Sequence, residues 1–150
     1  MLLATWGLTI ASYASLPTSI PIHYDGAGLP NRYDHKSTIL ILPFLATVLG
    51  TGLAALGRRP HVLNYPVPLT AANAGVQHAN ATRLLRCLHL TLALDFGLIT
   101  LRTIQTARGQ AQGLGTWFLP LTLVLLVGPL AYFLVRAYRL KDGPGAGHRA

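Results

Sequence analysis

Two histidines, two aspartates and a lysine lie close together in a polar segment near the start of the chain, residues 16–36. They are His23, Asp25, Asp34, His35 and Lys36. Histidine and aspartate side chains can ligate zinc or transfer protons. Zinc sites usually use tight pairs with a defined spacing, however, and here the two His/Asp pairs are only loosely related. We therefore predict no metal site and no catalytic residue, and we keep zinc binding and a membrane enzyme as alternatives.

The same segment is rich in residues that bend the backbone. Pro17 and Pro21 lack a backbone N–H, so we expect neither to lie inside a regular sheet ladder. Gly26 and Gly28 can supply turns of positive φ. The segment is thus predicted to be an ordered loop that binds a peptide or a lipid headgroup. The predicted ligand-binding residues are Pro17, Pro21, His23, Tyr24, Gly28 and Lys36.

The composition of the chain indicates a membrane protein. It has 150 residues, of which 51% are hydrophobic and 11% are charged, whereas soluble domains carry about 25% charged residues. A spanning helix needs about 20 mostly apolar residues. The net charge of +8 comes from basic residues scattered along the chain. We therefore predict no nucleic-acid partner, and no cofactor.

Four apolar stretches predict an all-α integral membrane protein with about four transmembrane helices. The whole chain, 1–150, forms a single membrane domain. Its predicted spans are 1–15, 38–57, 86–106 and 116–136, with an extracytoplasmic loop at 16–37, a cytoplasmic connector at 58–85 and a disordered tail at 142–150. Pro129 lies inside the fourth stretch, where neighbouring helices can satisfy the carbonyl that it leaves free. A cleaved signal peptide is an alternative for the first stretch.

The basic residues predict the orientation, because loops on the cytoplasmic side carry more Lys and Arg. With both termini in the cytoplasm, eight basic residues lie inside and four lie outside. The polar loop then faces outward. The predicted location is the bacterial plasma membrane.

Asp95 is the one acidic residue inside a predicted span. Such a carboxylate usually faces the protein interior, a partner or a water-filled cavity. Arg102 lies seven residues later and therefore on the same helix face. Three interpretations remain open: pairing with Arg102 or with another span, a proton or ion relay, and a contact between copies of the chain.

The predicted connector carries no acidic residue, and Asn64, Tyr65 and Pro66 in it favour turn or extended geometry. The four arginines of the Arg58–Arg86 stretch suit a topology signal, a partner-docking surface or a surface that binds anionic lipid. A helix is expected from about residue 71, with Thr70 as N-cap, leading into the third span.

The spacing Leu16-Pro17-x-x-Ile20-Pro21-x-His23-Tyr24-x-x-x-Gly28-x-Pro30, ending at Lys36, resembles a bacterial membrane family of unknown function. The N-terminal module of that family also occurs in immunity proteins for the sporulation-delaying peptide toxin (SdpI-like). The stretch 60–70, with Asn73 and the Arg83–Arg86 segment, is similar to the connector of its shorter members. The resemblance covers about residues 16–88 and implies a membrane protein of few helices.

Together these observations predict a non-enzymatic binding, signalling or toxin-immunity-like protein that uses its outward loop. The expected partners are the lipid bilayer and either a peptide toxin or another membrane protein, with a homo-oligomer as a further expectation. The alternatives are a small transporter subunit with an Asp95/Arg102 pair and an accessory assembly protein.

Overall fold

The computed structural model describes residues 1–143, and the rest of the predicted tail lies outside this range. In chain order the elements are α1 (Leu2–Tyr13), β1 (Ser19–Tyr24), β2 (Pro30–His35), a 3₁₀ helix (Lys36–Leu40), α2 (Ile41–Gly57), a second 3₁₀ helix (Pro60–Val62), α3 (Ala74–Ala107) and α4 (Phe118–Arg139). Helix α3 is central, because it packs against α1, α2, α4 and β1. We call the end of the molecule with β1 and β2 the hairpin end and the opposite end, with residues 58–73, the connector end.

Three helical segments are long and apolar enough to cross a membrane: Lys36–Gly57, Ala74–Ala107 and Phe118–Arg139. Helix α1 has 12 residues, which corresponds to a rise of about 18 Å. The hydrocarbon core of a bilayer is about 30 Å thick. Of the four predicted spans, the structure therefore provides three with the required length.

The distribution of side chains also fits a membrane environment. Large apolar side chains on α2 and α4 lie on the surface, including Phe44 (58% exposed) and Val124 (68% exposed). Polar side chains such as Thr9 and Thr100 are fully buried between helices. Soluble proteins show the opposite tendency. In lipid, polar groups are instead satisfied inside the bundle.

The predicted loop contains a β-hairpin, so the all-α prediction is wrong in this segment. Strands β1 and β2 are antiparallel, with Pro21 opposite Tyr33. The Lys36 N–H donates to the Thr18 carbonyl at 2.8 Å, and paired residues alternate between bonded and non-bonded positions along such a ladder. Pro21 therefore occupies a non-bonded position. Its missing N–H removes no ladder bond, which is why Pro21 lies inside the sheet despite our expectation.

A buried apolar cluster fixes the hairpin to the helices. It consists of Leu16, Ile20, Ile39 and Ile104, contributed by the α1–β1 turn, β1, the first 3₁₀ helix and α3. Ile20 and Ile39 are each only 1% exposed. Burying such a side chain contributes roughly 1.5–3 kcal/mol. The hairpin is therefore packed onto the bundle rather than tethered above it.

Helix α3 runs without interruption for 34 residues, a rise of about 51 Å. The expected helix of the connector and the expected third span are thus one element. The non-helical connector comprises residues 58–73 apart from the short Pro60–Val62 helix. Helix α3 is longer than the hydrocarbon core of a bilayer is thick, so a membrane-spanning α3 would extend beyond that core.

Helices α3 and α4 are antiparallel and joined by the loop at residues 108–117. Pro129 cannot donate to the Leu125 carbonyl four residues earlier. The Thr91 hydroxyl of α3 donates to that carbonyl at 3.2 Å. The expectation that a neighbouring helix satisfies the carbonyl freed by Pro129 is therefore confirmed.

Candidate functional site

The candidate site is the hairpin end, where the hairpin meets three helix ends. The C-terminal ends of α1 and α3 lie there, together with the start of α2 and the α3–α4 loop. The Arg108 guanidinium donates to the Ser15 hydroxyl at 2.7 Å, which joins α3 to the turn after α1. The predicted ligand-binding residues divide into those that fix the hairpin and those that remain on its surface.

Gly28 belongs to the first group, because it lies against the α3–α4 loop. Its carbonyl accepts from the Leu114 N–H at 2.8 Å. Its φ is +77°, and a Cβ at this position would lie 2.6 Å from the carbonyl oxygen of Gly115. Only glycine combines this backbone conformation with such a close approach.

Tyr24 fixes the end of β1 to α3. Its hydroxyl lies 2.9 Å from the Thr103 hydroxyl. Burial raises the pKa of Tyr24 above its usual value, and the hydrogen bond to Thr103 partly offsets the increase. The neutral phenol is therefore the form that fits this position.

Lys36 is turned toward the protein rather than toward a ligand. Its ammonium group donates to the carbonyls of Tyr13 and Leu16, at 3.4 and 3.5 Å, and lies 5.0 Å from the centre of the Tyr13 ring. A cation at the C-terminal end of a helix is favourable because the last carbonyls carry partial negative charge. Pro17 is exposed in the turn that precedes β1.

The histidines and aspartates of the hairpin have separate local partners. The Asp25 carboxylate accepts from the Ala27 and Leu29 N–H groups, both at 2.9 Å, and so closes the hairpin turn. His23 Nδ1 lies 2.6 Å from the Asn31 side-chain oxygen, and His35 Nδ1 accepts from the Ser37 N–H at 3.3 Å. In residues 1–143 no three His, Cys, Asp or Glu side chains are placed to hold a metal ion.

The outer edge of β2 is accessible. Five of the six residues of β2 are exposed. Tyr33 occupies a non-bonded position opposite Pro21, so its N–H and C=O point away from β1. The neighbouring outward N–H, that of His35, is occupied by the Asp34 carboxylate at 2.7 Å. A strand edge of this kind can pair with another extended chain.

Pairing of Asp95 with Arg102, one of the alternatives for this carboxylate, is not formed, whereas a contact with another helix is. Asp95 is 4% exposed and accepts from the Thr122 hydroxyl of α4 at 3.2 Å. Arg102 donates to the Gln105 side chain at 3.3 Å. Seven residues separate Asp95 from Arg102 along α3, a rise of about 10 Å, which is too far for direct contact without both side chains bending. The partner of Asp95 is another helix.

A row of polar side chains on α3 and at its N-cap faces α4 and was not predicted from the sequence. Asn73, Gln77 and Asn80 donate to the carbonyls of Lys141, Ala137 and Phe133, and Thr91 and Asp95 continue the row. All five side chains are at most 5% exposed. Their spacing of three, four or eleven residues repeats one helix face. The recurrence of polar residues at this helical spacing was the sequence signal that could have indicated the row.

The connector residues Asn64, Tyr65 and Pro66 line a cavity of about 490 Å³ at the connector end. The Tyr65 hydroxyl donates to the Pro60 carbonyl at 2.7 Å. The ring of Tyr65 lies 5.5 Å from that of His78. These contacts hold the connector against α3.

One family model matches the chain. Residues 1–47 match a domain of unknown function, DUF1648, so the match includes α1, the hairpin and the start of α2. No curated protein and no solved structure matches.

Proposed function

We propose that this chain is a non-enzymatic, multi-pass protein of the bacterial plasma membrane that binds an extracytoplasmic peptide along the edge of β2. The open backbone edge at Tyr33, on a hairpin fixed to the bundle, is the observation that carries the proposal. Extended peptides bind exposed strand edges through main-chain hydrogen bonds. Because the hairpin is already ordered, little conformational entropy is lost when a peptide binds.

The distribution of basic residues supports an outward-facing hairpin. Arg58, Arg59, Arg136 and Arg139 lie near the helix ends at the connector end. An excess of Lys and Arg marks the cytoplasmic side. In this orientation α4 ends on the cytoplasmic side, and α1, whose 12 residues rise about 18 Å, enters the membrane as a fourth, shorter helix. The Trp6 indole N–H, which donates to the Thr47 hydroxyl of α2 at 3.0 Å, supports the place of α1 within the bundle.

A peptide toxin is the ligand class that we favour. The residue pattern of the hairpin resembles the N-terminal module of SdpI-like immunity proteins, and the DUF1648 match covers the same segment. A protein that captures a toxin at the outer surface would protect the membrane that it occupies.

The test compares cells with and without the protein during exposure to a panel of membrane-active peptides. We expect the wild type and Tyr33→Ala to protect, because both keep the outward N–H of residue 33. Tyr33→Pro removes this N–H at a position where no bond to β1 is lost, so protection should fall at least about tenfold, which corresponds to one hydrogen bond of about 1.4 kcal/mol. Membrane abundance is matched between variants. Absence of protection by the wild type, or full protection by Tyr33→Pro, would overturn the proposal.

A small transporter subunit is the second candidate, and Asp95 favours it. The carboxylate lies inside a helix long and apolar enough to cross a membrane, and its Oδ2 atom is buried with no hydrogen-bond partner among residues 1–143. Buried carboxylates of this kind occur in proton relays. Proton uptake into vesicles that contain the protein, lost in Asp95→Asn, would support transport. Unchanged uptake in that variant would exclude it.

A further inference from the structure

Two cavities adjoin on the side of α3 that faces α1 and α2. The basic cavity, of about 220 Å³, lies between the end of α2 and the first half of α3, and its polar lining residues are Arg58, Thr82, Arg86 and His89. The apolar cavity, of about 480 Å³, is lined by Met1, Leu2, Leu3, Leu90 and Ala93 and by the same Arg86 and His89. Arg86 and His89 therefore lie at the boundary between the two cavities.

The positive charge of the basic cavity has no acidic partner. All four acidic residues of the chain lie in the described range, and none of them lines either cavity. Arg102, Arg108 and Arg136 donate to neighbouring side chains, whereas Arg58 and Arg86 have no such acceptor among residues 1–143. The charge complementarity of the basic cavity is therefore to an anion.

A purely structural role accounts for only one of these two arginines. Arg58 follows the last turn of α2, where a cation is favourable because the last carbonyls carry partial negative charge. Arg86 lies inside α3, far from either end of that helix. A charged side chain within a membrane helix usually pairs with another group, and an anion in the basic cavity would supply that group.

The polar groups of the basic cavity can be reached by a ligand. Arg58 and Arg86 have exposed side chains. His89 lies against Gly50 of α2, where a Cβ would be 3.1 Å from the His89 Nε2 atom. The ring nitrogens of His89 have no hydrogen-bond partner within residues 1–143 and are not among the atoms closed off from solvent. They are therefore available to an occupant of the cavity.

The order of the two cavities along α3 matches an amphipathic molecule. Helix α3 runs from the connector end to the hairpin end, so Leu90 and Ala93 lie deeper in the bundle than Thr82. Eleven residues separate Thr82 from Ala93, a rise of about 16 Å. An anionic head fits the basic cavity, and an apolar chain attached to it fits the deeper one. The guanidinium fork matches phosphate oxygens, and basic pockets between membrane helices bind lipid headgroups.

We propose that the basic cavity binds the phosphate of an anionic phospholipid and that one acyl chain of this lipid lies in the apolar cavity. Arg58 and Arg86 bind the phosphate oxygens, and His89 and Thr82 add hydrogen bonds. In the orientation proposed above, the lipid belongs to the cytoplasmic leaflet. The inference does not depend on peptide binding at the hairpin, because it concerns other residues at the other end of the molecule.

The experiment uses the purified full chain in detergent with equal amounts of phosphatidylglycerol and phosphatidylcholine that carry the same acyl chains. Native mass spectrometry counts the lipids that stay bound. Because two arginines favour the anionic headgroup, we expect the wild type to retain phosphatidylglycerol at least about tenfold over phosphatidylcholine. Equal retention of the two lipids would overturn the proposal.

Paired variants separate a site from a general attraction to positive charge. Arg58→Ala/Arg86→Ala should reduce the preference for phosphatidylglycerol at least about fivefold. Arg59→Ala/Arg83→Ala is the matched control, since it removes the same charge from exposed neighbours that line neither cavity, and it should keep the wild-type preference. Equal losses in the two double variants would overturn the proposal. Thermal midpoints are measured in parallel, and if the first variant fails to fold, Arg58→Gln/Arg86→Gln replaces it.

Two further arms test whether the anion comes from a lipid. Glycerol 3-phosphate in about tenfold excess should leave phosphatidylglycerol bound, and displacement would assign the basic cavity to a soluble phosphate ester instead. Phosphatidylglycerol with a photoreactive group in one acyl chain should label α3 near Leu90 and Ala93. Labelling that leaves this segment unmodified would contradict the position of the chain.

Discussion

Gly28 is the residue at which the hairpin comes closest to the α3–α4 loop. We expect Gly28→Ala to destabilise the protein by roughly 1–3 kcal/mol, because the added Cβ meets backbone atoms and the positive φ is strained. Gly26→Ala, two residues earlier, is the control, since its Cβ would have no atom within 4 Å. Thermal unfolding in detergent measures both. Equal thermal midpoints for the two variants would contradict the close approach of Gly28 to the α3–α4 loop.

Tyr24 should make the stability of the hairpin decrease at alkaline pH. Its pKa in the folded protein lies above the usual 10.0 because the hydroxyl is buried. The folded state therefore binds the proton more tightly than the unfolded state, and this contribution to stability is complete below pH 10 and lost as the pH rises through the folded pKa.

We therefore expect the wild type to lose stability as the pH rises above 10 and Tyr24→Phe to lose less of it. Proteolysis of the hairpin as a function of pH is the measurement. Tyr33→Phe, at an exposed tyrosine (56% exposed), is the control. Identical pH profiles for Tyr24→Phe and the wild type would show that Tyr24 does not carry the dependence.

At the scale of elements, the contact between α3 and α4 depends on the match between Thr91 and Pro129. Thr91→Val keeps the shape of the side chain but leaves the Leu125 carbonyl without a donor. The expected cost is about 1 kcal/mol. In a Pro129→Ala background the N–H of residue 129 can donate to that carbonyl, so the cost should fall toward zero.

A double-mutant cycle of these two substitutions measures the coupling directly. Thr51→Val in α2 is the control, because the Thr51 hydroxyl donates within its own helix and should show no coupling to residue 129. Additive effects of Thr91→Val and Pro129→Ala would mean that the hydroxyl does not compensate for the proline.

At the scale of the whole molecule, the proposed orientation predicts which end can be labelled from outside. Cys87 is the only cysteine, so Cys87→Ser gives a background for single substitutions. In intact cells a membrane-impermeant maleimide should label Asn31→Cys at the hairpin and leave His61→Cys at the connector unlabelled. Permeabilised cells are the control, in which both sites should react. The reverse pattern would invert the orientation.

The helices were more predictable than the contacts between them. The apolar stretches at 38–57 and 116–136 correspond closely to α2 and α4, because helix formation in lipid follows from local composition and length. The hairpin was not predicted. Pro21 argued against a strand, and only the pairing register shows that its missing N–H falls at a non-bonded position.

The sequence indicated where the candidate site lies along the chain, but it did not indicate the contacts that attach the site to the other elements. Residues 16–36 do form an ordered structure at one end of the bundle. Gly28, Tyr24 and Lys36 attach that structure to other elements, however, and their partners are Leu114, Thr103 and Tyr13. Tyr24 and Thr103 are 79 residues apart in the chain, and no local pattern indicates such a contact.

The sequence alone thus determined that the chain has helices long and apolar enough to span a membrane, since apolar length and scarce charge are local properties. Only the tertiary structure decided which polar groups meet. Asp95 bonds to Thr122 rather than pairing with Arg102, because the antiparallel packing of α4 on α3 brings that hydroxyl close, whereas Arg102 lies two turns away along the same helix. Partners across helices depend on their alignment, and the alignment results from the packing of the whole bundle.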